Sequence, residues 1–306
     1  MDGEKRPTDE VVMDSQSVAQ AQHKAHQSHG AKPVVRPRPA MFRALGHNEP
    51  PQQVEVQGRI FERIRVFKHD SWAATALYEN LDYGKVICKF NRRQSIGPIP
   101  MRWLGWLLAR NESRILNRLK DSGRVPLILG PVKIDGKVHS NAIARKYIEG
   151  HPLGHKEQVG TGFFVELRDL LSLMHARNLA YVDLHKRENV LVGDDGHPYL
   201  IDFQISYASP AGFMGRIPSS RFILSILQKS DDYHYEKLRR KSLPDSEAAA
   251  QPVDRPWWIR LHRGVAMPFR QMRRKFFVAL KVRSGDGMVH TEHFTEEALR
   301  DEVGAA

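Results

Sequence analysis

The most constraining feature of this sequence is the run YVDLHKRENVLVGDDGHPYLIDFQIS at residues 181–206. It holds two strand-like apolar segments, VLV and YLID, separated by the turn signal DDGHP. Asp202 lies between Ile201 and Phe203, and a carboxylate among apolar neighbours is costly unless it has a partner. The run therefore predicts two short strands that carry functional side chains.

Antiparallel pairing of these two strands would bring Asn189 and Asp202 to the same edge. Amide and carboxylate oxygens are hard ligands of the kind that Mg²⁺ takes together with waters and phosphate oxygens. Asp183, one loop before the first strand, could receive a proton from an attacking hydroxyl. This division of labour is typical of metal-assisted phosphoryl transfer.

Composition limits the alternatives. The chain has 306 residues, which is enough for one large domain or two small lobes, and its formal net charge of +12 indicates an anionic partner. Cys88 is the single cysteine, so an internal disulfide framework is excluded and a cysteine-based zinc site is not expected. The amino-terminal residues do not resemble a signal peptide, and no apolar run has the ~18 residues of a membrane span. A cytoplasmic location is expected.

The chain divides into four parts by composition. Residues 1–53 are rich in Gln, His, Pro and charge and are predicted to be a disordered tail. Residues 54–148 read as strands with one main helix, and 149–242 as a mostly helical core that contains the two strands described above. Residues 243–306 begin as a linker rich in Pro, Ala and acids and continue as a basic, aromatic segment.

Individual elements follow from periodicity. In the first part, strands are predicted for RIRVFKH, AATALYEN, GKVICKF and the two sides of the turn IDGK. Apolar residues recur at helical spacing in WLGWLLARNESRILNRLKDS, in GFFVELRDLLSLMHARN and in the segment SSRFILSILQKSDDYHYEKLRRKS before Pro244. These three segments are predicted to be helices. Cys88 is expected to pack inside the first part as a small strand residue.

Several segments of the chain resemble motifs of one protein superfamily. DLHKRENVLV followed by IDF resembles the catalytic loop and metal-binding motif of the protein-kinase-like superfamily. GKVICKF resembles its lysine-bearing strand, RNESRILNRL the helix that follows, and RKYIEGHPL the segment that joins the two lobes, near which adenine binds. The resemblance covers about residues 58–240. It is closest to the small bacterial branch around the lipopolysaccharide core sugar kinases and the RIO-like atypical kinases.

The resemblance implies an α+β, two-lobed fold with a small, mostly antiparallel β N-lobe and a mostly helical C-lobe. It also implies ATP and Mg²⁺ as cofactors. Lys89 would pair with the α/β-phosphates, Glu112 would orient Lys89, and Asp183 would act on an acceptor hydroxyl. Lys186 would touch the transferred phosphate, although a solvated loop lysine is an equal alternative. Asn189 and Asp202 would hold the metal.

Several positions depart from the family pattern. Five residues separate Asp183 from Asn189, one more than in the kinase catalytic loop. Tyr181 replaces the loop histidine, Gln204 stands where a glycine is expected, and residues 68–80 contain no glycine to cover the phosphates. These departures keep an alternative open, in which the chain is a catalytically weak pseudokinase that binds a nucleotide or a partner.

The sequence leaves two partners undecided: the acceptor of the phosphoryl group and the surface that residues 255–283 contact. The acceptor of the phosphoryl group could be a protein serine or threonine or a saccharide hydroxyl. Residues 255–283 hold nine Lys and Arg, no Asp or Glu, and interleaved aromatics. Such a segment can lie on an anionic membrane surface, in this case the inner face of the membrane, or it can pack on the C-lobe. Nucleic-acid binding is the weakest of the three alternatives.

Overall fold

The computed structural model describes residues 39–160 and 162–242. The first part forms a closed barrel in which every pair of neighbouring strands is antiparallel. The strand order around the barrel is β1-β2-β3-β4-β6-β5. The strands are β1 (Gln53–Val56), β2 (Arg59–His69), β3 (Ala73–Asn80), β4 (Gly84–Asn91), β5 (Ile128–Ile134) and β6 (Lys137–Lys146).

Side-chain alternation along β4 decides what the barrel encloses. Val86, Cys88 and Phe90 belong to the barrel core, together with Ala142 and Ala144 of β6. Cys88 is fully buried there, which confirms the expectation that it packs inside. Because successive strand residues point to opposite faces, the residues between them lie on the outer face of the barrel.

Ordered structure begins earlier than the predicted boundary at residue 53. A short 3-10 turn covers Ala40–Phe42, and Ala44 is fully buried. The N–H of Ala44 donates to the Asp70 carbonyl at 2.7 Å, and the Ala44 carbonyl accepts the N–H of Arg93 at 2.8 Å. Residues 39–52 therefore pack on the barrel, because their backbone groups pair with the ends of β2 and β4.

The main helix of the first part is α1 (Arg102–Leu119), close to its predicted span. Gly105 packs so closely against the backbone of Arg92 that a Cβ at this position would collide with the Arg92 carbonyl oxygen. Farther along, Ile115 and Leu116 are buried in a second core rather than in the barrel core. The helix is thus held at one end by the barrel and at the other by the second part of the chain.

The second part contains α2 (Phe163–Ala176), the short α3 (Phe213–Arg216) and α4 (Pro218–Ser242). Two small antiparallel sheets accompany these helices. One has the order β10-β9-β7, and the other pairs β8 with β11. Their strands are β7 (Gly150–Pro152), β8 (Leu179–Ala180), β9 (Val190–Gly193), β10 (Pro198–Leu200) and β11 (Tyr207–Ala208).

The architecture is a mixed α/β fold with a β-rich first part, and the predicted helices are present where the periodicity placed them. Closure of the first sheet into a barrel was not predicted. None of the helices in the two described ranges combines the length and the apolar character that crossing a bilayer requires. The predicted tail at 1–38 and the segment 243–306, including 255–283, lie outside the described residues.

Candidate active site

Lys89 on β4 lies at the centre of a buried ionic cluster. Its side chain is on the outer face of the barrel, opposite to that of Cys88, and only 8% exposed. Nζ donates to Glu112 Oε2 at 2.9 Å and to Asp202 Oδ1 at 2.6 Å. The three residues come from β4, α1 and the end of β10, so this one ammonium group connects both parts of the fold.

The charges in this cluster stabilise one another. Burial alone would lower the pKa of Lys89, but attraction to Asp202 and Glu112 outweighs it and raises the pKa above its usual range. Burial alone would raise the pKa of Asp202, but the Lys89 ammonium outweighs it and lowers that pKa to about 2. Lys89 is therefore positively charged and Asp202 ionised at neutral pH.

Helix α1 carries Glu112 on its buried face, where the residue is 1% exposed. Its neighbour Asn111 fastens the helix to the chain that follows Asp202. Asn111 Nδ2 donates to the carbonyls of Gln204 at 3.1 Å and Ser206 at 2.8 Å. Asn111 was not singled out in the sequence, because an asparagine on a helix carries no pattern that reveals a distant backbone partner.

The loop after β8 brings Asp183, Lys186 and Asn189 together. Asp183 is 1% exposed, and its Oδ2 accepts from Asn189 Nδ2 at 2.9 Å and from Lys186 Nζ at 2.7 Å. Its Oδ1 makes no hydrogen bond with the described residues and lies 3.3 Å from His185 Nδ1. One carboxylate oxygen is thus held by two donors, while the other, which is also buried, accepts no hydrogen bond from the described residues.

The strands β9 and β10 place Asn189 and Asp202 at one edge, as expected from antiparallel pairing. Val190 lies opposite Leu200, and the N–H of Ile201 donates to the Asn189 carbonyl at 3.0 Å. This arrangement is local in sequence, because only the DDGHP turn separates the two strands. The placement agrees with the expectation, while the metal-binding role of the pair stays a prediction.

The donor set at this edge fits a magnesium ion. Within the described residues, no group of three or more His, Cys, Asp and Glu side chains could hold a metal ion. Asn189 and Asp202 instead provide amide and carboxylate oxygens, which suits a cation bound mainly through waters and substrate phosphates. The side-chain N–H of Asn189 donates to Asp183 Oδ2. The amide oxygen is therefore not needed for that contact, so the residues present are compatible with Mg²⁺.

The backbone is strained immediately before Asp183 and at Asp202 itself. Val182, which precedes Asp183, has φ +72°, and Asp202 itself has φ +63°. A positive φ is uncommon for any residue with a side chain and is an outlier for a β-branched one. Such conformations persist only where the surroundings enforce them, and they cluster at functional sites.

Asp231 on α4 enforces the strained conformation before Asp183. Asp231 is fully buried, and its two carboxylate oxygens accept the N–H groups of Tyr181 at 2.7 Å and Val182 at 2.8 Å. The Tyr181 hydroxyl in turn donates to the carbonyl of Ile201, just before Asp202. The segments that carry the two acids are therefore tied together through a third, buried acid.

Asp231 was not predicted as a site residue, although the sequence contains a signal for it. The buried residues of α4 are Leu224, Asp231, Tyr235 and Leu238, which follow one another at heptad-like spacing. An acid on the apolar stripe of a helix is expensive to bury unless hydrogen bonds satisfy it. The place of Asp231 on the apolar stripe of α4 therefore predicts a buried carboxylate that accepts hydrogen bonds.

The turn between β2 and β3 forms hydrogen bonds within itself. Asp70 Oδ1 accepts the N–H groups of Trp72 at 2.6 Å and Ala73 at 2.8 Å. Its other oxygen lies 2.9 Å from Lys68 Nζ. The N–H groups of Trp72 and Ala73 are therefore satisfied within the turn.

A cavity of about 110 Å³ is lined by all the predicted site residues except Asp183, namely Lys89, Glu112, Lys186, Asn189 and Asp202. It is small compared with the ~300–1,000 Å³ of pockets that enclose a whole ligand, so its size suits the phosphate and metal end of a nucleotide. A larger cavity of about 840 Å³ lies among Arg114, Arg118 and Arg221 and contains none of the predicted site residues. The lining chemistry, rather than the volume, locates the candidate site. The smaller cavity is also lined by Lys68, Asp70, Thr75, Arg145, Glu188 and Gln204.

Comparisons with known proteins give little beyond this geometry. No family model and no curated protein matches the chain. Among solved structures, it is similar to the Rio2 kinase from Chaetomium thermophilum, with a TM-score of 0.44 and 14% sequence identity. The match covers 60% of this chain and 61% of the Rio2 chain, less than two thirds of either. At this TM-score and identity, the similarity assigns neither an activity nor a substrate to this chain.

Proposed function

We propose that this chain has a protein-kinase-like, two-lobed fold and is a phosphotransferase that moves the γ-phosphate of ATP to a hydroxyl acceptor. The observation that carries the proposal is the buried contact of Lys89 with Glu112 and Asp202 next to the Asp183 loop. Catalysis in this chemistry depends mainly on positioning and on neutralising negative charge. Lys89, Asn189, Glu112 and Asp202 line one cavity, and Asp183 contacts two further lining groups, the side chains of Lys186 and Asn189.

Each residue has a separate task in the proposed reaction. Lys89 binds oxygens of the α- and β-phosphates, and Glu112 fixes the position of the lysine. Asp183 orients the acceptor hydroxyl through its unbonded Oδ1 and takes the hydroxyl proton. The acceptor oxygen forms a bond to the γ-phosphorus while the bond to the β,γ-bridging oxygen breaks, and ADP leaves. Mg²⁺, when bound, would neutralise charge that develops on the phosphates.

Two residues support this centre. Asn189 and Asp202 would hold the metal, and Lys186, which contacts Asp183 Oδ2, is within reach of a phosphate transferred there. The cytoplasm, where ATP and Mg²⁺ are available, is the proposed location. The acceptor class remains a choice between a protein serine or threonine and a saccharide, because no described residue discriminates between these hydroxyls.

The test is phosphotransfer from labelled Mg²⁺-ATP to a panel of protein and saccharide acceptors. The full chain is expected to label at least one acceptor class, and Asp202→Ala is expected to abolish labelling while the circular dichroism spectrum is unchanged. Asp194→Ala, which removes an exposed acid from the DDGHP turn, is the matched control and should retain activity. Full labelling by the folded Asp202→Ala variant would refute the proposal.

The second candidate is a pseudokinase that binds a nucleotide or a partner without transferring phosphate. One observation favours it: the N–H groups of Trp72 and Ala73 in the turn after β2 donate to Asp70 and are not directed to a phosphate. Under this alternative, Mg²⁺-ATP raises the melting temperature of the chain, but no acceptor in the panel is labelled. Liposome binding of the full chain and of a variant truncated after residue 250 would test the proposed membrane role of 255–283.

A further inference from the structure

The guanidinium group of Arg145 is buried in the candidate site without a hydrogen-bond acceptor for two of its nitrogens. Arg145 is 5% exposed, and its Nε and Nη1 have no hydrogen-bond partner among the described residues. It lines the same cavity as Lys89, Lys68 and Lys186. Each of these three lysines contacts a carboxylate of the chain at 2.6–2.9 Å. Arg145 differs from them, because the described residues provide it with no such contact.

The strand register explains why Arg145 points toward this cavity. Arg145 lies opposite Ile87 on β4, and Lys89 lies opposite Ile143, two positions earlier on β6. Ala142 and Ala144 face the barrel core, so Arg145 lies on the outer face, as Lys89 does. The two cations are thus on the same face of adjacent strands and one side-chain step apart, ~7 Å along the strand.

A buried guanidinium in this state is expected to bind an anion. Arginine keeps its charge at all relevant pH values and offers hydrogen-bond donors only, so it cannot become neutral to avoid the cost of burial. Asp202 and Glu112 contact Lys89, and Asp70 contacts Lys68 and two backbone N–H groups. Glu188 also lines the cavity, and none of these four carboxylates forms an ion pair with Arg145 among the described residues. A phosphate group matches the fork of guanidinium donors in two parallel hydrogen bonds.

The turn at Asp70 provides a second, independent observation. In the family pattern, backbone N–H groups of a glycine-rich turn would cover the phosphates. Here the N–H groups of Trp72 and Ala73 donate to Asp70, and residues 68–80 contain no glycine. If phosphate binds in this cavity, donors from another element must replace those of the turn. Arg145 has such donors and faces the same cavity.

We infer that Arg145 is a phosphate-binding residue of this cleft, which supplies through its side chain the contacts that the turn between β2 and β3 does not offer. The inference rests on the proposed function in one respect, since the phosphate would belong to the bound nucleotide or to a phosphorylated acceptor. The chemistry is the same in both cases: a phosphate oxyanion bound by two guanidinium N–H groups.

The experiment measures binding of tripolyphosphate, inorganic phosphate, Mg²⁺-ATP and adenosine to the full chain by titration calorimetry. Arg145→Met keeps the length of the side chain and removes its charge, and Arg145→Lys keeps the charge without the fork. Lys146→Met is the matched control, because it removes the same charge from the next, exposed position of β6. Circular dichroism and the melting temperature without ligand are recorded for each variant.

Arg145→Met is expected to weaken tripolyphosphate and ATP binding at least tenfold and to leave adenosine binding unchanged. Arg145→Lys should recover part of the loss, and Lys146→Met should stay within twofold of the original chain. If the binding of inorganic phosphate is weakened while ATP binding is unchanged, the phosphate belongs to the acceptor, and the inference still holds. Without ligand, the melting temperature of Arg145→Met should not fall, because a buried, unpaired charge has been removed.

Unchanged binding of tripolyphosphate, ATP and inorganic phosphate by a folded Arg145→Met variant would overturn the inference, and so would a loss confined to adenosine. If Arg145→Met does not fold, Arg145→Lys and Arg145→Gln decide by the same comparison. Failure of the proposed function looks different. In that case the original chain binds tripolyphosphate through Arg145, but no acceptor is labelled by ATP. Phosphotransfer with no dependence of binding on Arg145 would uphold the function and reject the inference.

Discussion

Lys89 Nζ lies 2.6 Å from Asp202 Oδ1, although 113 positions separate the two residues in the sequence. Glu112, 23 positions from Lys89, completes the contact at 2.9 Å. A strand of the barrel, its packed helix and the end of β10 therefore converge on one ammonium group. Charges buried in this way stabilise the fold only as a set, because removal of one leaves the others uncompensated.

Lys89→Met is expected to destabilise the chain by about 3 kcal/mol and to abolish phosphotransfer, because Glu112 and Asp202 then face each other without a cation. Urea unfolding followed by circular dichroism measures the first effect, and labelled ATP the second. Lys85→Met is the matched control on β4: its pair with Glu149 spans 3.5 Å and is partly exposed. An exposed pair contributes about 0–1 kcal/mol, so equal losses in both variants would contradict this prediction.

Asp183→Asn tests the proton-accepting role. The variant keeps an oxygen for the contacts of Lys186 and Asn189 but loses the carboxylate that accepts a proton. The turnover number should fall by about 10²–10⁴, the range of general acid–base contributions. The shift in melting temperature caused by Mg²⁺-ATP should persist. Asp169→Asn, an exposed acid on α2, is the control, and a turnover number of Asp183→Asn as high as that of the control would exclude this role.

Asp231→Asn tests how the strained backbone is held. An amide can accept one of the two N–H groups of Tyr181 and Val182 but presents its own donors to the other, which costs about 1–3 kcal/mol. Activity should fall as well, because Asp183 follows Val182 directly. Asp232→Asn, which removes the partly exposed partner of Arg168, should have a smaller effect on both measurements.

The strain itself can be probed in the same background. Val182→Gly relieves the cost of a positive φ, so it should restore part of the stability and activity lost in Asp231→Asn. A double variant no better than Asp231→Asn in either measurement would show that the carboxylate acts in some other way.

His234 on α4 predicts a pH dependence of stability. Burial, with smaller contributions from His185 and Lys237, lowers its pKa from 6.5 to about 4. Below pH 6.5 the unfolded chain therefore binds a proton that the folded chain does not, and stability falls as the pH falls from 6.5 toward 4. His234→Gln should reduce that loss by about 1 kcal/mol, after allowance for the partly exposed ring. Urea unfolding at pH 4.5 and 7, with the exposed His47→Gln as control, measures it; equal pH profiles for the two variants would contradict the assignment.

The secondary-structure elements could be predicted from the sequence more completely than the contacts between distant elements. Apolar residues at period 2 and period 3.6 indicated β4, α1 and α2. Each of these elements buries one face, and the spacing of apolar residues along the chain shows which face that is. Closure of the barrel was missed, since it depends on β1 pairing with β5, where Glu55 lies opposite Lys133. Short strands of this kind carry no signal for a partner that is so distant in sequence.

The sequence alone determined the arrangement that is local: two strands joined by the DDGHP turn, with Asn189 and Asp202 at one edge. Tertiary structure alone decided the rest. It brought Asp231 under the backbone of Val182, and it placed Arg145 beside Lys89 with two of its nitrogens unpaired. The physical reason is that spacing along the chain reveals which face of an element is buried. Which polar atoms meet there depends on packing between elements far apart in the sequence.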